Sequence, residues 1–515
     1  MLCENVKLVI ATCVVLLLVL VVFIGVANSY CVLEIHPAAN FVLLFMALLL
    51  LAYCEALHYG VVSIEKWDMT QYQEKYPRAC KVHKLVDTPN KVKKFLVGRQ
   101  FFTIFVVFLI SQITSFPHIP KDFGGMPEVL VLLLFQIGLP GVALVLTFGQ
   151  LVSQLYVEEF TLQFLNMYGC EFVVRLSLGA EWLGICHFSW LLFHTVTRLA
   201  CSSVRKAQRE MNQQAPTMNS SDAIMDGDAE ANKTPNPEDA GPMSPTALNR
   251  GPDFDTGLDD KIPLGPFDLL RYAWSTLATI GSLFIIFYGI SIQAYVLPSP
   301  PGATYIIFFM FLCLLFYLEG LMIAVVATQY WDRDTFKDHY PRAAMLHELM
   351  TRDKDNIKRF IIGRQFCTVL TNFMLGQITT MATFPSDGYN PIGFYIIVKS
   401  GLVGVMVVLA FAQLCPELTA AEYPLRFMNL PGAYSVGCLS MIFDAVGTGH
   451  CAWAVYFVTR KLCCGSAKGE GELENGEAAA AEKVKPAIVR VNSAEILAAS
   501  QRDSAKGASA SKWGL

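Results

Sequence analysis

The chain alternates between long apolar runs and short polar segments. Ten of these predominantly apolar runs are roughly 20 residues long or more, which is the length that a helix needs to cross a bilayer. We therefore predict ten transmembrane helices. They cover 7–29, 39–63, 95–116, 127–152, 171–198, 271–297, 303–329, 360–383, 391–415 and 433–459. The first run is longer than the apolar part of a signal peptide and is interpreted as a retained helix.

Two polar regions interrupt this pattern. The residues between the fifth and sixth runs are rich in Asp, Asn, Pro, Gly and Ser, and the C-terminal region is rich in Ala, Glu, Lys and Ser. Both regions lack the apolar content that a folded core requires. The predicted organisation is a membrane repeat at 1–200, a disordered linker at 201–263, a second membrane repeat at 264–463 and a disordered tail at 464–515.

The two membrane regions are copies of one another. The offset between matching positions is 263 to 265 residues, so the chain is a tandem duplication. Matching segments include Tyr76-Pro77-Arg78-Ala79 with Tyr340-Pro341-Arg342-Ala343, Gly98-Arg99-Gln100-Phe101 with Gly363-Arg364-Gln365-Phe366, Gln112-Ile113-Thr114 with Gln377-Ile378-Thr379, and Gln150-Leu151 with Gln413-Leu414.

Each copy holds five predicted helices. Because five is odd, the second copy is predicted to enter the membrane upside down relative to the first, as in many transporters built from inverted repeats. The loops at 66–94 and 331–359 argue against inversion, because both are rich in Lys and Arg and the positive-inside rule favours the cytosol for each. Either one run per copy does not span the membrane, or the repeated loop has a structural role that outweighs its charge.

Composition and charge support a membrane protein and exclude other classes. The 515 residues are 54% hydrophobic and only 16% charged, with a net charge of −4. This balance leaves no broad basic face for nucleic acid. The 15 cysteines show no repeated metal-ligand spacing. Since no phosphate loop, nucleophile elbow or metal motif is found, we expect an all-α polytopic membrane protein that is not an enzyme and has no resident cofactor.

Polar side chains inside the apolar runs are the candidate functional residues. An ionisable group at membrane depth costs several kcal/mol unless it is paired, so such groups usually have a function. The predicted solute-binding side chains occur in both copies: Glu55, Gln100 and Thr103 in the first, and Glu319, Gln365 and Thr368 in the second. A purely structural salt bridge is the alternative for the two glutamates. Gly98 and Gly363 are predicted to let another backbone approach closely.

Three basic residues are predicted to support this site. Arg99 and Arg364 either pair with the glutamates or extend to the membrane surface, because each follows a basic pair by only a few residues. Lys399 aligns with Gln136, and its ammonium group is hypothesised to take the place of a coupling cation. Four other polar residues of the runs are given structural roles: His187 and His450 as core residues, and Gln112 and Gln377 as contacts between helices.

Two motifs give the chain a resemblance to a known family. The segment Gly-Arg-Gln-Phe occurs at equivalent places in both copies, and each second helix holds a glutamate at the start of a degraded Glu-Gly-x-Gln motif. These degraded motifs read Glu55-Ala56-Leu57-His58 and Glu319-Gly320-Leu321-Met322. In both features the chain resembles the silicon transporter family, whose members have ten predicted helices in two five-helix halves.

The resemblance implies sodium-coupled uptake of silicic acid. Glutamine both donates and accepts hydrogen bonds, which suits a neutral solute with four hydroxyl groups, and His58 retains both abilities where the motif glutamine is lost. Sodium is the expected coupling ion. The alternatives are transport of another small oxyacid, such as borate or bicarbonate, and a membrane sensor that does not transport. A plasma-membrane location is expected, with a vesicle membrane as the alternative.

Overall fold

The computed structural model describes residues 2–197, 265–381, 395–446, 452 and 455, apart from gaps at 65, 66, 68, 118, 120–124, 298 and 354. These residues form helices and turns, and no β-strand occurs among them. The all-α class is therefore confirmed for this part of the chain. The predicted linker, the predicted tail and His450 lie outside the described residues.

The first copy contributes seven principal helices. They are α1 (Leu2–Ala27), α2 (Pro37–Ile64), α3 (Pro77–Leu85), α4 (Pro89–Thr114), α5 (Leu139–Glu159), α6 (Cys170–Trp182) and α7 (His187–Thr197). Proline opens α3 and α4, where its missing N–H has no helical partner to lose. At the start of α4 the Thr88 side chain accepts a hydrogen bond from the Lys91 N–H, which caps the helix.

The second copy repeats the first six of these helices. They are α8 (Pro266–Ser291), α9 (Pro301–Thr328), α10 (Pro341–Thr351), α11 (Asn356–Thr379), α12 (Leu402–Glu422) and α13 (Ala433–Val446). Contacts group Met1–His194 with Arg271–Leu515 in one unit and Thr195–Leu270 in another. The main helices of both copies thus share a single packed unit, which is where the site lies.

The two copies repeat tertiary contacts as well as sequence. The Tyr53 hydroxyl of α2 donates to the Tyr168 carbonyl at 2.8 Å, and the equivalent Tyr317 hydroxyl of α9 donates to the Pro431 carbonyl at 2.5 Å. A second pair of matched contacts joins α3 to the turn before α6 in the first copy, and α10 to the turn before α13 in the second. In that pair the Asn166 and Asn429 side chains accept from the main-chain N–H groups of Arg78 and Arg342, both at 2.9 Å.

Two of the predicted spans are broken helices. The run at 127–152 is interrupted at Gly138 and the run at 391–415 at Gly401, with φ angles of +79° and +78°. Only glycine adopts this backbone conformation readily. The prediction of one continuous helix in each run was wrong, because apolar content does not report a left-handed residue. The helices that follow the breaks contain π-helical turns at Val145–Leu151 and Leu409–Leu414.

The fifth predicted span is bent. The run at 171–198 divides into α6 and α7, whose axes differ by 58°. Gly184 lies between them with a φ angle of +81°. A side chain at Gly184 would also meet Arg271, since an added Cβ would lie 2.8 Å from the Arg271 Cβ. Glycine is required at this bend by both its φ angle and the space available.

Six of the described helices are long and apolar enough to cross a membrane: α2, α4, α5, α8, α9 and α12. The bent pair α6 and α7 gives a seventh if it forms one span. Large apolar side chains are exposed on these helices, including Phe45 at 67%, Phe284 at 72% and Ile306 at 71%. A water-facing surface would not tolerate so much apolar area, whereas lipid would. The chain is an integral multi-pass membrane protein.

Helices α4 and α11 join the two copies. Gln377 donates from its Nε2 to the Ser111 hydroxyl at 2.9 Å and the Ser115 hydroxyl at 2.5 Å. In the opposite sense, Gln112 Nε2 donates to the Thr380 hydroxyl at 3.2 Å. These buried amides confirm the prediction that Gln112 and Gln377 connect helices. Their contacts fix the register between the two copies, and hence the shape of the space beside them.

Candidate functional site

A cavity of about 110 Å³ lies between the two copies. Its walls come from α2, α4, α5 and Trp190 of α7 in the first copy and from α9, α11 and α12 in the second. All seven predicted solute-binding side chains line it: Glu55, His58, Gln100, Thr103, Glu319, Gln365 and Thr368. The structure therefore brings together residues that are up to 313 positions apart in the sequence.

Two buried ion pairs occupy equivalent positions in the wall. Arg99 Nη1 lies 3.1 Å from Glu55 Oε1, and Arg364 Nη1 lies 3.1 Å from Glu319 Oε2. All four side chains are less than 10% exposed. The alternative in which the arginines extend to the membrane surface is wrong, because both guanidinium groups turn inward. A buried charge keeps its place only when it is paired and hydrogen-bonded, and here each pair satisfies that condition.

Each arginine also orients the neighbouring glutamine. Arg99 Nη2 donates to Gln100 Oε1 at 2.8 Å, and Arg364 Nη2 donates to Gln365 Oε1 at 2.7 Å. The amide oxygen is thereby used, which leaves the NH₂ group of each glutamine to donate elsewhere. The hydroxyl groups of Thr103 and Thr368 accept from the same two arginines, at 3.2 and 3.4 Å. The predicted side chains thus form two equivalent networks.

The network of Gln100 continues across the interface between the copies. Gln100 Nε2 donates to Gln413 Oε1 at 2.5 Å, and Gln413 Nε2 lies 3.5 Å from Asn372 Oδ1. The equivalent of Gln413 in the first copy is Gln150, which also lines the cavity. Gln150 Oε1 is buried and has no hydrogen-bond partner in the part of the chain that the structure describes. We call the network that reaches Gln413 closed, because the Gln413 oxygen accepts from Gln100. We call the equivalent network at Gln150 open, because the Gln150 oxygen lacks such a donor.

The two glycines of the repeated motif lie against α6 in the first copy and against α13 in the second. A Cβ at Gly98 would lie 1.9 Å from the Ser177 carbonyl oxygen, and one at Gly363 would lie 1.8 Å from the Ser440 carbonyl oxygen. No side chain fits at either position. The two helices therefore make the close backbone approach that these glycines were predicted to allow.

The structure does not bring Lys399 into the cavity. Its Nζ lies 3.5 Å from Glu34 Oε2, a residue of the loop between α1 and α2. The break at Gly401 separates Lys399 from α12, so its side chain is not in register with the cavity-lining residues of that helix. The hypothesis that the Lys399 ammonium group takes the place of a coupling cation in the site is therefore corrected: this group lies beside Glu34, outside the cavity wall. His187 packs against Tyr272, with ring centroids 5.1 Å apart.

Sequence reasoning missed several polar residues of the cavity wall. They are Gln150, Gln154, Asn372, Gln413 and Glu417. A signal was present for two of them, because Gln150 and Gln413 match between the copies. The other three differ between the copies, and a search for repeated residues passes over such positions.

A family model described as silicon transporter matches residues 2–219 and 281–492, which include most of both membrane repeats. No curated protein matches the chain, and no solved structure matches it.

Proposed function

Because this chain belongs to the silicon transporter family, we propose that it takes up silicic acid by alternating access, driven by sodium. One observation carries the proposal: the cavity between the two copies gathers carboxylates, guanidinium groups and amides from both. Silicic acid is uncharged and has four hydroxyl groups, each of which donates and accepts. Paired amides and carboxylates supply the complementary groups.

The size of the cavity suits such a solute. Its volume of about 110 Å³ exceeds the roughly 10–15 Å³ that a cavity needs, on the same measure, to hold one water molecule. A solute of five non-hydrogen atoms therefore fits. Arg99 and Arg364 are already neutralised by Glu55 and Glu319, so the wall favours a neutral solute over an anion.

The duplication supports alternating access. Two copies with equivalent helices and equivalent contacts can exchange conformations, which opens a cavity between them first to one side of the membrane and then to the other. The closed contact between Gln100 and Gln413 and the open position at Gln150 are the two forms that one such contact would take in opposite states.

A second candidate is another small oxyacid, such as boric acid. The observation that favours it is the loss of both motif glutamines, since His58 and Met322 occupy those positions in the cavity wall. A thioether is a weak acceptor and no donor. The half-site of the second copy is therefore poorer in hydrogen-bonding groups than that of the first.

Uptake into proteoliposomes tests the proposal. Purified protein is reconstituted, an inward sodium gradient is imposed, and accumulation of ⁶⁸Ge-labelled germanic acid is followed with silicic acid or boric acid as competitor. We expect concentrative uptake that silicic acid inhibits and that collapses when sodium is equal on both sides. Preferential inhibition by boric acid would favour the second candidate. Saturable binding without accumulation would contradict transport and support a sensor.

A further inference from the structure

Two contacts between the copies fix the relative direction of α4 and α11. The first lies near the C-terminal ends of both helices, where a Cβ built at Gly376 would lie 3.4 Å from the hydroxyl oxygen of Ser111, its equivalent in the first copy. The second lies nearer their N-terminal ends and runs through Gln413 of α12. This side chain accepts from Gln100 of α4 at 2.5 Å, and its Nε2 lies 3.5 Å from the Asn372 Oδ1 of α11.

The second contact requires parallel helices. At a rise of 1.5 Å per residue, Gln100 lies about 16 Å from Ser111 along α4, and Asn372 lies about 6 Å from Gly376 along α11. In antiparallel helices these two distances add to about 22 Å, which is more than the side chain of Gln413 and its two partners can bridge. In parallel helices the distances subtract to about 10 Å, which the three side chains can span.

The two buried ion pairs agree with this direction. Glu417 lies within electrostatic reach of both Arg99 and Arg364, each bound to its own glutamate. These arginines are equivalent, and each precedes the contact between Ser111 and Gly376 by 12 residues, or about 18 Å. Antiparallel helices would place them about 36 Å apart, on opposite sides of that contact. Since equivalent residues meet at both levels, the axis that relates the copies runs along the helices.

The last described helices explain how both copies can have the same orientation. Helix α6 stays beside the first turns of α4, because Ser177 lies against Gly98 and Glu181 lies 3.9 Å from Lys94. The turn before α6 accepts a hydrogen bond from Tyr53, near the middle of α2. Helix α13 makes the equivalent contacts in the second copy. Helix α7 has only 11 residues, about 16 Å, which is too short to cross a bilayer.

We infer that the two copies lie parallel in the membrane and that both basic loops face the cytosol. Each copy then crosses the bilayer four times, with α1, α2, α4 and α5 in the first and α8, α9, α11 and α12 in the second. The inversion expected from five runs per copy is replaced, because the fifth run does not cross. The conflict with the positive-inside rule disappears, since the loops at 66–94 and 331–359 now share one side.

This topology also assigns a side to the cavity. On α4 the cavity wall extends from Val107 back to Lys93, next to the basic loop, whereas Ser111 and Gly376 meet beyond its other end. The cavity therefore lies on the cytosolic side of the contact between the copies. Parallel repeats also occur in carriers, whose halves rock against each other. In the proposed uptake cycle, on which this step alone rests, the structure is the state that releases solute to the cytosol.

Cysteine labelling tests the topology at two pairs of equivalent, exposed loop residues. Glu74 and Asp338 lie in the basic loops, and Ser29 and Gln293 lie at the opposite ends of the helices. A membrane-impermeant maleimide is applied to intact cells, after digitonin opens the plasma membrane, and after Triton opens all membranes. The unchanged chain gives the background from its own cysteines. We expect E74C and D338C to be labelled first at the digitonin step, and S29C and Q293C to share a different step.

The way in which the four signals pair decides between the arrangements. Inverted copies would label E74C together with Q293C, and D338C together with S29C, and this result would overturn the inference. Labelling of E74C and D338C in intact cells, with S29C and Q293C first at the digitonin step, would overturn the cytosolic assignment. Where a variant does not reach a membrane, an exposed neighbour replaces it: Gln73, Lys337, Asn28 or Ile292.

A fifth position tests the side on which the cavity opens. Leu96 lines the cavity, so L96C should be labelled at the same step as E74C. Labelling of L96C together with S29C instead would overturn the assigned state. None of these measurements uses a solute or an ion gradient. If the expected labelling is found but germanic acid uptake is not, the parallel topology stands and the transport proposal fails.

Discussion

The two halves of the cavity wall share their charges and differ in the residues around them. Each half has the same glutamate, arginine, glutamine and threonine, joined by contacts that agree within 0.2 Å. Around this shared set, several positions differ between the copies. They include His58 and Met322, Val107 and Asn372, Ser153 and Pro416, and Gln154 and Glu417.

This difference separates two roles. The shared residues satisfy one another within each copy, so they hold the helices of that copy together. The differing residues face the cavity or the junction between the copies, where each half has its own partners: Gln154 supports Glu55, and Asn372 supports Gln413. Duplication supplied the scaffold, and divergence at the wall made the two half-sites unequal.

The largest effect is expected from removing a shared carboxylate. E55Q leaves the buried Arg99 without its counter-ion, and the loss of one partner of a buried pair destabilises a protein by about 3–5 kcal/mol. E319Q should destabilise by a comparable amount, because it leaves Arg364 in the same position and the Glu417 side chain lies within electrostatic reach of both arginines. Thermal unfolding in detergent measures the stability of both variants, and vesicle uptake should be lost in both.

The double variants E55Q/E417Q and E319Q/E417Q are the controls for this comparison. Without the Glu417 carboxylate near the orphaned arginine, each should be less stable than the corresponding single variant. If either double variant unfolds at the same temperature as its single variant, Glu417 does not compensate for the lost glutamate in that copy.

A smaller effect is expected from exchanging Val107 and Asn372. N372V removes the acceptor of Gln413 and should loosen the closed network, at a cost of about 1 kcal/mol, which is the usual contribution of one hydrogen bond. V107N places an amide at the position equivalent to Asn372, where its oxygen can accept from Gln150 Nε2 and should hold Gln150 more firmly. Germanic acid uptake should change in both, with V107N giving the slower transport because both networks are then held. Equal rates in V107N and the wild type would argue against a role for this contact.

Much of the fold could be predicted from the sequence. The thickness of the bilayer sets the length of each apolar run, and the duplication makes the same series of runs occur twice. Six predicted spans appear as long apolar helices in the described residues. The breaks at Gly138 and Gly401 could not be predicted, since a single left-handed residue hardly changes the local hydropathy. The helix α11 is rich in buried polar side chains, among them Arg364, Asn372 and Gln377, and it is not one of those six.

The candidate site could be predicted where the copies agree and not where they differ. Glu55, Gln100 and their equivalents were identified because they recur inside apolar runs. Which arginine atom meets which glutamate depends on how α2 packs against α4, and that is a tertiary property. Gln154 and Glu417 were missed because they lie towards the ends of their helices, where polar residues are common. Only the structure shows that both line the cavity.

The smallest effect is expected from two equivalent histidines outside the spans. His83 on α3 hydrogen-bonds the Tyr72 hydroxyl, and His347 on α10 lies with its Nε2 3.0 Å from the Thr328 carbonyl. Burial lowers the pKa of both rings below the ordinary value, and for His347 the carbonyl partly opposes that effect. An unfolded histidine takes up a proton near pH 6.5. As the pH falls below about 6.5, the unfolded chain binds protons that the folded chain does not, so stability is lost.

The measurement is the unfolding temperature in detergent at pH 7.5 and at pH 5.5. The wild type should unfold at a lower temperature at pH 5.5, and H83Q and H347Q should each remove part of that decrease. H36Q is the control, because His36 is exposed in the loop before α2, and it should retain the full decrease. If all three variants keep the wild-type difference, the two rings do not contribute, and the pH dependence of stability arises from the carboxylates. If only one of H83Q and H347Q reduces the decrease in unfolding temperature, the two copies differ in their pH dependence. The smaller contribution is then expected from His347, because its hydrogen bond to the Thr328 carbonyl opposes the lowering of its pKa.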